Sequence, residues 1–146
     1  MIEIRIEGLE ELRRHLERMI ARGLDLRPLM RSLAGIMHHA VEENFAQEGR
    51  PKWVPLSKRT EQARRRRGYW PGKILQMRGE LAASISQSYS DREAVVGTNK
   101  VYARIHQLGG KAGRGKKATI PARPFLKLTE QDLEDIKKAA VDYLRG

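Results

Sequence analysis

The hydrophobic pattern of the first 48 residues changes its period once, and this change limits the folds open to the chain. Residues 2–7 (IEIRIE) alternate apolar and charged side chains, which is the period of a strand with one buried face. From Leu9 the apolar residues recur at helical spacing, first as far as Gly23 and then from Asp25, a predicted N-cap, to Gly49. We therefore predict a strand followed by a helical hairpin whose apolar faces cover other elements.

Two further strands are predicted in the second half of the chain. Strand-like runs occupy residues 85–90 and 94–98, and Asp91-Arg92 forms the turn between them. We predict that these runs form a small antiparallel sheet with residues 2–6. The helical hairpin (9–48) is then expected to pack on one face of this sheet.

The C-terminal part supplies an extended segment and a last helix. The stretch TIPARPFLKL (119–128) is extended because of its two prolines, and Phe125 and Leu126 in its RPFL segment (123–126) are expected to be buried beside the sheet. Thr129 and Asp132 resemble a capping box that opens the final helix. The predicted fold is therefore α+β, a single domain over residues 1–146 in which the N-terminal helical hairpin and the C-terminal helix pack on a small antiparallel sheet.

Positive charge is concentrated in two segments of the chain. The net charge is +11, and residues 50–78 contain ten basic side chains against one acid, Glu61, while residues 111–117 add four basic side chains. Prolines and glycines interrupt the first segment, which predicts a long basic excursion that is poorly ordered in the isolated protein. Ser57 is a candidate cap for a short helix through Arg67, but RRRR (64–67) offers no apolar stripe to anchor such a helix. We expect mobile loops at 50–73 and 109–119, and an anionic partner that faces the two basic segments.

The sequence GGKAGRGKK (109–117) resembles a phosphate-binding loop but fails its structural requirements. Such a loop leaves a strand and enters a helix, so that backbone N–H groups converge on the anion. Here the preceding residues 101–108 have a helical pattern. Lys117 stands where a Ser or Thr should hold magnesium, and Pro121 and Pro124 prevent a following helix. We therefore predict a flexible cationic loop and no nucleotide site.

No catalytic, metal-binding or cofactor-binding residues are predicted. The sequence contains no cysteine, which excludes disulfides and Cys-ligated zinc. His38 and His39 point about 100° apart on a helix and cannot share a metal, and His39 is expected to be the more buried of the two. No apolar run is long enough to span a membrane, and the N-terminus does not resemble a signal peptide. A hydrolytic enzyme stays open as a third functional class, without nominated residues.

Nucleic-acid binding is a more serious alternative. The 50–78 segment combines its cations with Trp53, Tyr69 and Trp70, and aromatic side chains among cations stack on unpaired bases. No RNP, KH or helix-turn-helix pattern accompanies them. We favour the interpretation that Trp53 and Trp70 fix the ends of the segment to the core. The predicted structural anchors are Trp53, Trp70, Tyr102, Pro124 and Phe125.

Four stretches resemble the phage virion morphogenesis family, the tail completion proteins of long-tailed bacteriophages and of Mu-like prophages. They are WVPLSKRT (53–60), KILQMRGELAASI (73–85), AVVGTNKVYARIHQLGG (94–110) and IPARPFL (120–126). Each stretch is short, but the four follow one another in the family's order and are spaced by a variable basic loop. Arg78-Gly79-Glu80 departs from the family, which favours Thr-Gly at this place.

The resemblance implies a small α+β subunit, without enzymatic activity or cofactor, that completes the tail or joins it to the head. The implied partners are other phage head, neck or tail proteins and copies of itself in a ring, with DNA in the connector lumen as a further expected contact and no membrane. The implied location is the virion, after synthesis in the bacterial host cytoplasm. The residues predicted to contact a partner or DNA are Lys58, Arg59, Arg64, Arg65, Arg66, Arg67, Lys111, Arg114, Lys116 and Lys117.

Overall fold

The computed structural model describes residues 2–5, 10–76, 78–113, 115 and 118–145. Its helices are α1 (Glu10–Ala21), α2 (Arg27–Ala46), α3 (Lys58–Arg66), α4 (Glu80–Ala83), α5 (Ala103–Leu108) and α6 (Glu130–Arg145). Its strands are β1 (Ile2–Arg5), β2 (Ser86–Tyr89), β3 (Ala94–Thr98), β4 (Gly110–Ala112) and β5 (Ala118–Ile120). This combination of helices with small antiparallel sheets confirms the predicted α+β class.

Strand β3 lies at the centre of a three-stranded antiparallel sheet with the order β1-β3-β2. The sheet predicted from three separate segments is therefore confirmed, with Ile4 of β1 opposite Val96 of β3. All five residues of β3 are buried. Gly97 is needed in this strand, because a Cβ atom there would lie 2.5 Å from the carbonyl oxygen of Ile2 in β1.

Helix α2 forms the centre of the fold and packs against β2, β3 and α6. Its buried residues are Leu29, Met30, Leu33, Ala34, Met37, Ala40, Val41, Asn44 and Phe45. The prediction that α6 packs on the sheet needs correction, because the main contact of α6 is α2. The apolar face of α2 is broad enough to cover two neighbours, and the buried side of α6 includes Ile136 and Ala140.

The start of α2 also differs from the prediction. Leu26 rather than Asp25 occupies the N-cap position, and no side chain caps the helix there. The carboxylate of Asp25 instead accepts a hydrogen bond from the backbone N–H of Arg27 at 3.0 Å. Because Leu26 is buried, packing of this residue in the core sets where the helix begins.

A polar network, here called the polar centre, joins α2 to α6 and consists of Asn44, Arg50, Thr129 and Asp132. Asn44 Nδ2 donates to the carbonyl oxygen of Phe125 at 2.7 Å, and Arg50 Nε donates to Asn44 Oδ1 at 2.7 Å. Arg50 Nη2 lies 2.9 Å from Asp132 Oδ2. The predicted capping box is confirmed, since the N–H of Thr129 donates to Asp132 Oδ2 at 2.8 Å and the N–H of Asp132 donates to Thr129 Oγ1 at 3.2 Å.

Trp53 fixes the beginning of the basic excursion to the core. Its ring meets the ring of Phe45 edge-on at 5.9 Å, and its Nε1 donates to the carbonyl oxygen of Pro124 at 3.0 Å. Gly49 has a φ of 101°, and a Cβ atom there would lie 2.6 Å from Trp53. The close approach of the indole therefore requires glycine at this turn. The anchored Trp53 in turn positions residues 54–57, which lead into α3.

Candidate protein interface

Helix α3 carries four exposed cations on one face. The helix begins after the candidate cap Ser57, whose Oγ accepts a hydrogen bond from the N–H of Thr60 at 3.2 Å, although the sequence offered no apolar stripe to anchor it. The four cations form two pairs spaced seven residues apart, and this spacing returns a helix to nearly the same face. They make no ion pair within the described residues. We call this set the α3 outer face: Lys58, Arg59, Arg65 and Arg66.

The other side of α3 points into the fold. Thr60, Ala63, Arg64 and Arg67 recur at positions i, i+3, i+4 and i+7 and line a cleft. Arg64 is only 6% exposed, and its Nη1 donates to the carbonyl oxygen of Lys73 at 2.9 Å. We therefore separate Arg64 from the exposed cations with which the sequence grouped it. A helix turns by about 100° at each residue, so four consecutive arginines cannot share one face.

The cleft encloses about 810 Å³ and is lined by residues of α3, α5 and β5 and by the segments between them. Four arginines and one glutamate line it, which gives these residues a net charge of +3. They are Arg64, Arg67, Arg78, Glu80 and Arg123. Much of the remaining lining is apolar and includes Val54, Leu75, Leu81, Tyr102 and Ile120. We call this feature the arginine cleft.

Arg123 is a buried cation of the arginine cleft that the sequence analysis did not single out. It is 7% exposed, and its Nε and Nη2 donate to the carbonyl oxygens of Val54 at 2.8 Å and of Pro55 at 3.0 Å. Burial lowers the pKa of Arg123, and the charge of Arg64 lowers this pKa further. The one sequence signal for its burial is its position in the extended segment 123–126, close to residues that are predicted to lie in the core.

His106 also lines the arginine cleft, and one of its ring nitrogens has no hydrogen-bond partner among the described residues. Its Nδ1 is buried, and no described residue forms a hydrogen bond with it. Burial lowers the pKa of His106 and the charge of Arg123 lowers it further, so the imidazole is neutral at about pH 7. Its ring lies 6.1 Å from that of Tyr102 in an edge-on arrangement.

The glycine-rich segment forms a β-hairpin, so the predicted loop is wrong for both of its arms. Strands β4 and β5 pair antiparallel, with Lys111 opposite Thr119. Strands of only three residues carry little periodic pattern, and β4 begins with Gly110, which has low strand propensity, so the sequence did not reveal the hairpin. The chain passes from α5 into β4, not from a strand into a helix as in a phosphate-binding loop. Arg114, Lys116 and Lys117 lie outside the described residues, and the mobility expected for 50–73 and 109–119 stays a prediction.

The five predicted anchors occupy different environments. Trp53 and Phe125 are buried. Pro124 is half-buried and accepts the hydrogen bond from the indole, and Trp70 is also half-buried. Tyr102 is 38% exposed and lines the arginine cleft. Of the five, Tyr102 is therefore the most exposed.

The histidines of α2 reverse their predicted order. His38 is half-buried, with its Nδ1 2.8 Å from Gln87 Oε1 in β2, whereas His39 is exposed. Among the residues that the structure describes, no group of three His, Asp or Glu side chains is arranged to hold a metal ion. No described helix is both long and apolar enough to cross a membrane.

A family model and three curated relatives match this chain. The model of the phage virion morphogenesis family matches residues 8–145. Mu-like prophage FluMu G protein 2 of Haemophilus influenzae is 47% identical over 99% of this chain and 97% of that protein. FluMu G protein 1 of the same organism is 36% identical over 81% of this chain and 79% of that protein. Protein G of Escherichia phage Mu, whose name refers to capsid assembly, is 34% identical over 82% of each chain. No solved structure matches.

Proposed function

Because the chain belongs to the phage virion morphogenesis family, we propose that it completes the tail or joins it to the head as a subunit of an oligomeric ring. Family membership supports a structural role in virion assembly. Under the proposal its partners are other head, neck or tail proteins and copies of itself. It performs no enzymatic reaction, needs no cofactor and is synthesised in the cytoplasm of the bacterial host.

The observation that carries the proposal is the unpaired charge of the α3 outer face. Its four cations are exposed and lack acidic partners among the described residues. The protein also exposes aliphatic side chains, with Val54 at 53%, Leu108 at 59% and Val101 at 95%. Exposed cations without acidic partners of their own favour contact with a negatively charged surface of another protein. In a ring, the charge of each copy repeats around the axis and strengthens the field that a neighbour meets.

One of the three aromatic residues on which the nucleic-acid alternative depends is not available to stack on a base. Trp53 is 6% exposed and its indole N–H is already bonded, so its ring is not available to stack on a base. Tyr69 is 36% exposed and Trp70 is half-buried, so both are weaker stacking platforms than the sequence suggests. This alternative then depends mainly on the cations, which an acidic protein surface also satisfies.

Removing charge from the α3 outer face tests the proposal. In an induced prophage that encodes Arg65→Ser with Arg66→Ser, we expect free heads and tails in electron micrographs in place of joined virions. Both side chains are exposed, so the free energy of unfolding should change by less than about 0.5 kcal/mol. The matched control is Arg14→Ser with Arg22→Ser, which removes the same charge from other exposed positions and should leave virions joined. A normal yield of joined virions from the first variant would contradict the proposed contact.

Self-association distinguishes the two functional classes. In analytical ultracentrifugation we expect the purified chain to form larger species as its concentration rises, without added DNA. Binding of the monomer to duplex DNA, with an affinity that falls steeply as salt is added, would support the nucleic-acid alternative instead.

A further inference from the structure

The two buried arginines of the arginine cleft retain hydrogen-bond donors that the fold does not use. Only Nη1 of Arg64 and only Nε and Nη2 of Arg123 donate to described residues. The other side-chain nitrogens are not sealed inside the protein, because among the described residues only His106 Nδ1 is a fully buried side-chain polar atom without a partner. These nitrogens are therefore accessible from outside the fold, and both arginines line the cleft.

Negative charge compensates the cations of the arginine cleft only in part. No ion pair joins Arg64, Arg67, Arg78 or Arg123 to an acid within the described part of the chain. Among the described residues that line the cleft, Glu80 is the one acid, and Glu48 attracts Arg64 from outside this lining. Buried charges of the same sign repel one another, so an anion bound between Arg64 and Arg123 is electrostatically favoured.

We propose that the arginine cleft binds an extended acidic segment of a neighbouring virion protein, and that Arg64 and Arg123 hold one of its carboxylates. The inference rests on the proposed function, which supplies the neighbouring protein. Guanidinium groups bind carboxylates through paired, planar hydrogen bonds. The volume of about 810 Å³ falls in the range of roughly 300–1,000 Å³ typical of sites that enclose a ligand.

The apolar part of the lining favours a peptide over a nucleic-acid backbone. Val54, Leu75 and Ile120 line the same cleft as the arginines. Successive side chains of an extended peptide point in opposite directions, so acidic and apolar residues in alternation reach different walls. A sugar–phosphate backbone supplies the negative charge but no aliphatic groups for these walls. The exposed side chains of Val54 and Tyr102 offer further apolar contact at the cleft.

A matched pair of double variants tests the inference with purified protein. The probe is a short fluorescein-labelled peptide of alternating Glu and Leu, and binding is measured by fluorescence anisotropy. Arg67→Gln with Arg78→Gln removes two cations that line the cleft and whose side chains form no hydrogen bond with described residues. Arg65→Gln with Arg66→Gln removes the same charge from the α3 outer face, outside the cleft. We expect the first variant to raise the Kd about tenfold and the second to raise it less than about twofold.

Three results would overturn the inference. Equal losses of affinity in the two double variants would mean that the peptide responds to diffuse charge. Unchanged affinity for a peptide with Gln in place of Glu would mean that the arginines do not select an acid. Tighter binding of an oligothymidine than of the acidic peptide, at the same ionic strength, would assign the cleft to single-stranded nucleic acid.

The peptide assay and the virion assay test separate claims, so a negative result in one does not imply a negative result in the other. Normal joining of virions by the α3 outer-face variant, together with intact selective binding of the peptide, would reject the outer-face contact and retain the cleft. Unjoined particles from that variant, together with no selective peptide binding, would retain the proposed function and reject the cleft.

Discussion

The polar centre and the arginine cleft both take arginine out of water, but they treat its charge differently. In the polar centre, Nη2 and Nη1 of Arg50 lie 2.9 and 3.3 Å from the two carboxylate oxygens of Asp132, and Nε donates to Asn44. In the arginine cleft, Arg64 and Arg123 are buried more deeply, yet their hydrogen bonds to described residues go to backbone carbonyls alone. One arginine is neutralised within the fold and the other two are not.

This difference separates a structural role from a binding role. Burial by itself would raise the pKa of Asp132, but hydrogen bonds from Thr129 and Arg50 and the charge of Arg50 outweigh it and hold that pKa below its ordinary value. Burial lowers the pKa of Arg64, which Glu48 opposes only in part. The polar centre is thus complete in the free chain. The cleft keeps repulsion between buried cations, which a negatively charged partner relieves.

The largest expected effect is the removal of the cation from the polar centre. Arg50→Met leaves the carboxylate of Asp132 buried without its counter-ion, and we expect a loss of about 3–5 kcal/mol in the free energy of unfolding. Urea denaturation followed by circular dichroism measures this loss. The control is Arg50→Met combined with Asp132→Asn, which removes both charges, keeps a side-chain oxygen as acceptor for the Thr129 N–H and should restore part of the stability. A loss below about 1 kcal/mol in the single variant would show that the pair does not hold the fold together.

The same substitution in the arginine cleft should be less severe. Arg64→Met leaves the carbonyl oxygen of Lys73 without its donor but also removes a cation that repels Arg123. We expect a loss of about 1–2 kcal/mol in the same denaturation experiment. If Arg64→Met costs as much as Arg50→Met, the cleft is as complete as the polar centre, and the contrast between the two regions disappears.

Local patterns in the sequence predicted much of the fold. The alternation in residues 2–6 and the two strand-like runs gave the three-stranded sheet, and the capping box at Thr129 gave the start of α6. Ser57 capped a helix even though that helix has few apolar residues. Each of these signals acts within a few residues of chain, where propensity and hydrogen bonding decide the structure.

The arginine cleft could not be predicted in the same way, because its cations come together only through tertiary packing. Arg64 and Arg123 are far apart in sequence, and nothing in their residue type distinguishes them from exposed arginines. Helical phase alone would have set Arg64 apart from Arg65 and Arg66. An error of one residue in assigning the buried face of α2 likewise reversed the predicted burial of His38 and His39.

The smallest expected effect is the response of each region to pH. The pKa of His106 lies below its ordinary value because of burial and the charge of Arg123, so the unfolded chain binds a proton before the folded chain does as the pH falls. The contribution of the neutral His106 ring to the free energy of unfolding is therefore complete above the ordinary pKa of about 6.5 and declines as the pH drops below that value. The pKa of Asp132 is also lowered, so its contribution is full above an ordinary pKa of about 4 and is lost as the pH falls through the folded value.

The two regions should therefore lose stability in separate pH windows. Urea unfolding at a series of pH values should show a first decline below about pH 6.5 and a second below about pH 4. His106→Gln should remove the first decline and keep the second, whereas Asp132→Asn should flatten the second. The cations that line the cleft with His106 are Arg64, Arg67, Arg78 and Arg123, and the acid is Glu80. If stability instead rises as the pH falls from 7 to 5, the imidazole gains a proton more easily in the folded state, and the cleft must already hold a compensating negative charge.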